Sequence, residues 1–355
     1  MSRWGFLLFL FAYFFSVIIS EEDISQAHHQ AHHSRQHHHH SQNPLHNVSS
    51  PEFRKLAEET YQKVLPCINS TWMFEGKKQV NFQFPNDAQE HYELLKNRTE
   101  CYRSQPIHEY SGYSGPWIEN IFISKFIDRP LHSFHGLIPL YIQWIDNQIL
   151  RGRHFDYIYS ELNELLRPDV LYLAISQGDV GLGKIGMAHP NILVLSAGGF
   201  GHCVLPLVKG EIDTIPPPEK YEVDIGFYGT VNQWQTNRPQ MLDFIKNTAK
   251  ELSLSYRDGS GPTWKTDMAN TRFNLAPRGY GRSSFRFAES LQIGRIPVFM
   301  YSDLPWIPYQ GSNISIEKYG FVAGLTQTEN TLPAIVHRLK NVTNEEYQEK
   351  LIFIQ

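Results

Sequence analysis

Arg278, Arg282 and Arg286 fall within nine residues of one another, interleaved with Gly279, Gly281, Ser283 and Ser284 and followed by Glu289, in the run FNLAPRGYGRSSFRFAESLQIGRIPVFMY at Phe273–Tyr301. Guanidinium groups bind phosphate oxygens in pairs, and the unpaired N–H groups at a helix start favour an anion. Arg278, Gly279, Ser283, Ser284 and Arg286 are therefore candidate ligands of a diphosphate. Glu289, one to two turns into the helix, could accept hydrogen bonds from two vicinal ribose hydroxyls, which makes a nucleotide a better fit than bare phosphate. A plainer reading uses the same residues: arginines that are solvated or paired with Glu289 across (i, i+3), and glycines that serve turn geometry alone.

The elements that must hold these groups follow from the pattern. An apolar run at Phe273 ends at Pro277 and Gly279, and Gly281 frees the backbone to bend. Phe285, Phe287, Ala288 and Leu291 recur at helical spacing behind a Ser283 or Ser284 cap, and Ile296–Met300 reads as a second strand. The unit is β-loop-α-β.

This run resembles the C-terminal signature of exostosin-type glycosyltransferases, whose members build heparan sulfate, xylan and xyloglucan side chains. The resemblance is carried by Phe273, Pro277, Arg278, Gly279, Ser284, Arg286, Phe287, Glu289, Gly294, Ile296, Pro297, Val298, Asp303 and Pro305. It implies an inverting transferase of GT-B type: two Rossmann-like α/β domains with mainly parallel sheets facing a cleft, the nucleotide-sugar on the second. A UDP-sugar is the first donor to expect and a glycan hydroxyl the acceptor. The Gly-Arg-Asp-His stretch common in that family is not found in the first half of this chain.

An inverting transfer needs a base across the cleft from the donor phosphates. Val170–Ile175 runs into SQGDVGLG and Ile192–Leu195 into SAGGFGHCVLP, which are strands ending in Gly-rich turns, where ligands of parallel sheets bind. Among Gln177, Asp179, His189 and His202 in these turns, Asp179 and His202 are the candidate catalytic bases. An Asx turn for Asp179 and a backbone hydrogen bond for His202 are the structural alternatives. Val223–Tyr228 makes a further strand ending at Gly229, with a helix from Arg238; Gly229 would let backbone approach the donor and Arg238 would reach phosphate. Trp306 and Tyr309 suit either the sugar end of the cleft or the core. No Asp-x-Asp stands in the sequence, and arginines with helix N–H groups can neutralise a leaving diphosphate, so metal-independent transfer without a cofactor is expected.

With 355 residues, 41% of them hydrophobic, the chain can bury two domains. A net charge of -4 gives no reason to expect nucleic acid. Residues 1–20 hold the apolar run Trp4–Ile19 behind Arg3, read as a type II signal-anchor in preference to a cleaved signal peptide. Residues 21–50 form a polar stem with nine of the 17 histidines, read as a stalk more readily than as a zinc-binding tract. An acceptor-side domain is expected at 51–215, a nucleotide-sugar domain at 216–355, with Pro216, Pro217 and Pro218 at the boundary. Helices are expected at Pro51–Lys63, Leu137–Leu150, Trp264–Thr271, Leu332–Leu339 and Glu345–Ile352. Sequons at Asn47, Asn69, Asn97, Asn313 and Asn341 agree with a Golgi-lumenal chain, a secreted or endoplasmic-reticulum location being the alternative. In an oxidising compartment Cys67–Cys101 is the expected pair, leaving Cys203 free; a hetero- or homodimer with a related transferase is a possible assembly, and a non-catalytic partner subunit or a secreted carbohydrate-binding protein is the alternative function.

Overall fold

A computed structural model describes residues 44–69, 82–98, 116–145, 153–231, 236–308, 314–325 and 331–354. The segment 4–19, the histidines up to His40, Cys101, Tyr309 and Asn313 lie outside the described residues. Within the described residues no helix is long and apolar enough to cross a membrane.

Helix α1 (Pro51–Asn69) starts behind Ser50, whose Oγ accepts the Phe53 N–H at 3.1 Å, with Pro51 at the first helical position. Its face Phe53, Ala57, Tyr61, Val64 and Ile68 is buried. Helices α2 (Ala88–Arg98) and α3 (Ile118–Phe126) follow, then strand β1 (Ile138–Leu140), helix α4 (Arg153–Leu165), strand β2 (Tyr172–Ser176), short helix α5 (Lys184–Ala188), and strands β3 (Ile192–Ser196) and β4 (Cys203–Val204). The four strands pair in chain order, all parallel. Their residues are buried on both faces from β1 to β3, as a parallel sheet covered on both sides requires.

The expected helix over Leu137–Leu150 is corrected at its start: Ile138–Leu140 is a strand in register with Tyr172–Ala174. Pro139 supplies no N–H for a helix, and a fully buried apolar run has no face to reveal its period.

The second sheet holds β5 (Val223–Tyr228), helix α6 (Arg238–Glu251), β6 (Tyr256–Gly259), helix α7 (Trp264–Ala269), β7 (Thr271–Pro277), helix α8 (Phe285–Ile293), β8 (Ile296–Tyr301) and β9 (Phe321–Gly324), closed by helices α9 (Leu332–Lys340) and α10 (Asn344–Ile354). All five strands are parallel in the order β6-β5-β7-β8-β9. The chain leaves β5 in one direction to β6 and then returns to place β7 on its other side. The ends of β5 and β7 thus form a topological switch point, the crevice where open parallel sheets take ligands.

Each sheet has its own apolar core, one drawn from Phe53 to Leu205 and one from Ile225 to Leu351. The segment between them is tied to the second sheet by Arg295, which is 1% exposed. Its guanidinium donates to the carbonyls of Ile215 (3.0 Å), Pro216 (2.9 Å), Ala269 (2.8 Å) and Gly294 (2.9 Å). A buried cation so surrounded by dipoles needs no carboxylate.

Candidate active site

The turn after β7, residues 278–284, sits at the switch point. Arg238 spans the crevice: its Nη1 donates to the Thr230 carbonyl beyond β5 at 2.9 Å, while its Nε and Nη2 reach the Arg278 carbonyl beyond β7 at 3.2 and 3.0 Å. Its guanidinium also lies 5.3 Å from the centre of the Phe227 ring. Gly229 follows β5. A side chain there would press on the Phe227 ring at 2.9 Å and on Arg286 Nε at 3.3 Å, so the residue must be small for Arg286 to lie beside it.

Arg286 leaves the first turn of α8 to meet Glu289 Oε2 and the Tyr228 carbonyl, and it stacks 4.6 Å from the Trp264 ring centre. Glu289 is fully buried, and its Oε1 faces Lys209 Nζ at 3.0 Å. Both carboxylate oxygens are therefore engaged by cations. This corrects the ribose reading of Glu289: a carboxylate without exposure, held between Lys209 and Arg286, has no oxygen turned to a nucleotide. Lys209 was not visible in the sequence as a site residue, because it lies in an irregular segment far from the motif.

Arg278 donates from Nε to the Gly281 carbonyl, from Nη2 to Tyr280, and from Nη1 to Ser302 Oγ and to Asp303 Oδ1 at 2.5 Å. Arg282, 5% exposed, places Nε 2.8 Å from Asp303 Oδ2. Burial alone would raise the Asp303 carboxyl, but the bond from Arg282, the Leu304 N–H and the nearby Arg278 charge outweigh it and hold the pKa below its ordinary value. Ser284 occupies the N-cap position of α8 in extended backbone, with no side-chain cap bond.

The turn also reaches the first sheet. Arg282 N–H donates to the Gly198 carbonyl at 2.9 Å and its Nη1 to Gly199 at 3.1 Å, with the guanidinium 4.3 Å from the Phe200 ring centre. Ser283 Oγ donates to Gly198 at 3.4 Å. The glycines permit this approach: a Cβ on Gly281 would stand 2.1 Å from the Gly198 oxygen, and Gly199 takes a φ of +124° where an added Cβ would strike Arg282 at 2.4 Å. Trp306, 8% exposed, joins the same contact by donating its indole N–H to the Ser196 carbonyl at 3.1 Å. Gly279 lies half-buried beside the exposed Tyr280, at the open rim of the turn.

Asp179 faces this turn from the end of β2. It is exposed, and a Cβ on Gly281 would lie 2.7 Å from its Oδ1. Crowding by the surrounding loops pushes its carboxyl pKa upward, against the opposing pull of the Gly281 N–H and the Arg278 charge. That placement suits a base poised to take a proton.

His202 does not have it. Its Nδ1 accepts the Val194 N–H at 2.9 Å, which fixes the remaining proton on Nε2, and Nε2 is shut off from solvent. Burial holds its pKa near 3, so the ring stays neutral and has no lone pair to offer an acceptor hydroxyl. Gln177 is also structural here. Its side chain accepts the Val208 N–H at 3.2 Å and returns a bond to the Val208 carbonyl at 3.2 Å, and His189 is bonded to Asn163 at 2.8 Å.

Away from Glu289, the opposite face of α8 lines an apolar cavity of about 280 Å³ with Phe287, Ala288 and Leu291, opposed by Leu205 and Leu207 and opening beside Ser283 and Ser284. Of the sequons, Asn47, Asn97 and Asn341 are exposed, while the side chain of Asn69 lies outside what is described.

No protein-family model and no curated protein matches the chain. Solved structures do match over 57% of it: TarM at 9% identity and a TM-score of 0.34, the GtfA/B complex at 11% and 0.33, and the pneumococcal O-GlcNAc transferase GtfA in complex with UDP and GlcNAc at 11% and 0.34. The aligned part covers 42%, 44% and 43% of those chains, so this chain spans less than half the length of the structures it matches. Likeness at that level says nothing of chemistry, which rests on the site itself.

Proposed function

We propose that the chain is a glycosyltransferase of GT-B architecture, resembling the exostosin-type enzymes, which moves a sugar with inversion from a nucleotide-sugar to a hydroxyl of a glycan or glycoprotein. The observation that carries this reading is the meeting of the switch-point turn 278–284 with Asp179 across the join of two parallel α/β sheets. A donor diphosphate would lie at the β5 and β7 ends, beside Gly229 and the start of α8, with Arg286 and Arg238 adding positive charge. Asp179 takes the acceptor proton as the acceptor oxygen bonds to the anomeric carbon. The bond from that carbon to the phosphate oxygen breaks, and the diphosphate leaves with the electron pair. A lumenal, single-pass type II placement in the Golgi goes with this reading through segment 4–19 and the exposed sequons.

The test is nucleotide release by the purified full chain from a panel of UDP- and GDP-sugars with glycan acceptors. Release above the uncatalysed rate supports transfer, and its absence with every donor overturns it. One observation favours a second reading, a non-catalytic partner of an active transferase: the arginines of the turn bond to protein carbonyls and carboxylates, and Glu289 has no exposure. A partner of that kind raises the activity of a co-purified relative while releasing no nucleotide itself.

A further inference from the structure

We propose that Lys209, carried on the segment between the two sheets, is a phosphate-binding residue that completes a two-cation seat with Arg286 for the donor diphosphate. The proposal rests on the transferase reading for its ligand, and on the following geometry for its place.

Lys209 Nζ lies 3.0 Å from Glu289 Oε1, while Arg286 meets the other oxygen of the same carboxylate. Lys265, on α7, adds a third positive charge close enough to act on Lys209. Two cations thus share one fully buried carboxylate, with a third charge nearby. In a half-dehydrated site an excess of positive charge is unfavourable until an anion balances it. A diphosphate supplies that charge, and its oxygens suit a planar guanidinium beside a point ammonium. Glu289 then acts as a positioning residue that aims both cations.

The two side chains keep partial exposure, 15% for Lys209 and 22% for Arg286, although their carboxylate has none. Gly229 lets the backbone pack closely beside the guanidinium, and the Trp264 ring covers one of its faces. The Phe285 ring sits 5.2 Å from Lys209 Nζ and limits its swing.

Independent support comes from the lysine's own titration. Burial, then the charges of Arg286 and Lys265, pull its pKa down to about 8. A bound diphosphate stabilises the protonated form. Affinity should therefore be full below about pH 7.5 and fall as pH rises through the free-state pKa.

The experiment is calorimetric binding of UDP and of inorganic pyrophosphate to the full chain, with UDP followed from about pH 7 to about pH 9.5. Wild type should bind both and lose UDP affinity on the alkaline side. Lys209→Met should weaken UDP at least ~10-fold, the effect of one charge-assisted contact. Lys209→Arg should keep the affinity within ~3-fold and abolish the alkaline decline. Binding that is unchanged in Lys209→Met, or flat with pH in wild type, overturns the assignment, as does a wild type that binds neither ligand. The wild-type pH profile decides even where Lys209→Met does not fold. Lys209-dependent UDP binding without transfer leaves this assignment standing and removes the enzyme, whereas undiminished transfer by Lys209→Met does the reverse.

Discussion

Asp179 and Glu289 are both carboxylates near the turn, and their surroundings are opposite. Asp179 is exposed with its pKa raised, so it is available to take a proton. Asp179→Asn should lower turnover by ~10²–10⁴-fold, the usual worth of a general base, and leave UDP affinity unchanged. Because only the ionised form accepts a proton, wild-type turnover should fall at acid pH as this carboxyl protonates. Steady-state kinetics beside a UDP titration checks both points, and equal losses in affinity would remove Asp179 from the chemistry. Glu289 has no exposure and two cationic partners. Glu289→Gln keeps the shape but leaves two half-buried cations without a counter-charge, so it should destabilise the fold by ~1–3 kcal/mol in urea denaturation. The residue types at the site were legible in sequence, but their duties were not. Nothing in the spacing of Glu289 distinguishes a ribose ligand from a counter-ion, because that depends on Lys209, 80 positions upstream in an irregular segment.

At the scale of elements, the turn before α8 is shaped by what it approaches. Gly281 lies against the Gly198 carbonyl of the other sheet, and a methyl group there would overlap it at 2.1 Å. Gly281→Ala should therefore cost about 1–3 kcal/mol through forced displacement. Gly210→Ala, where an added Cβ meets nothing within 4 Å, should be close to neutral. Thermal melts of the two variants make the comparison. The sequence revealed the β7-turn-α8-β8 unit clearly, because strand and helix periods alternate there with turn residues between. It concealed β6, whose YRDG residues form the polar edge of the sheet and so lack an apolar alternation. It also misrepresented β1, where burial on both faces erases the signal that separates strand from helix.

For the whole molecule, the sequence pointed to two α/β units, and two parallel sheets with separate cores are present. How closely the units meet was not legible, since no local pattern encodes a contact between Arg282 and Gly198. Asp303 steadies that meeting by holding Arg278 and Arg282 together. Its depressed pKa gives the sign of the acid response: the tie is present above the unfolded carboxylate value near 4 and is lost as pH falls below it toward the folded value. Small-angle scattering should show the wild type expanding in that acid range. Asp303→Asn should be expanded already at neutral pH, with no acid step, and a wild type of constant dimensions would show the tie to be idle.

Two anchorages described above bracket a short length of chain. Gln177 binds Val208 to the first sheet, and Arg295 binds Ile215 and Pro216 to the second. If the sheets rock against one another, the bend falls beside Lys209, because Lys209 is paired with Glu289, the Gly210 carbonyl accepts the Gln292 side chain at 3.4 Å and Thr214 Oγ1 donates to the Gln292 carbonyl at 3.1 Å, all on the second unit. A molecule gripped by that lysine would bear directly on the pivot, so filling the crevice and setting the angle between the two halves become a single mechanical event.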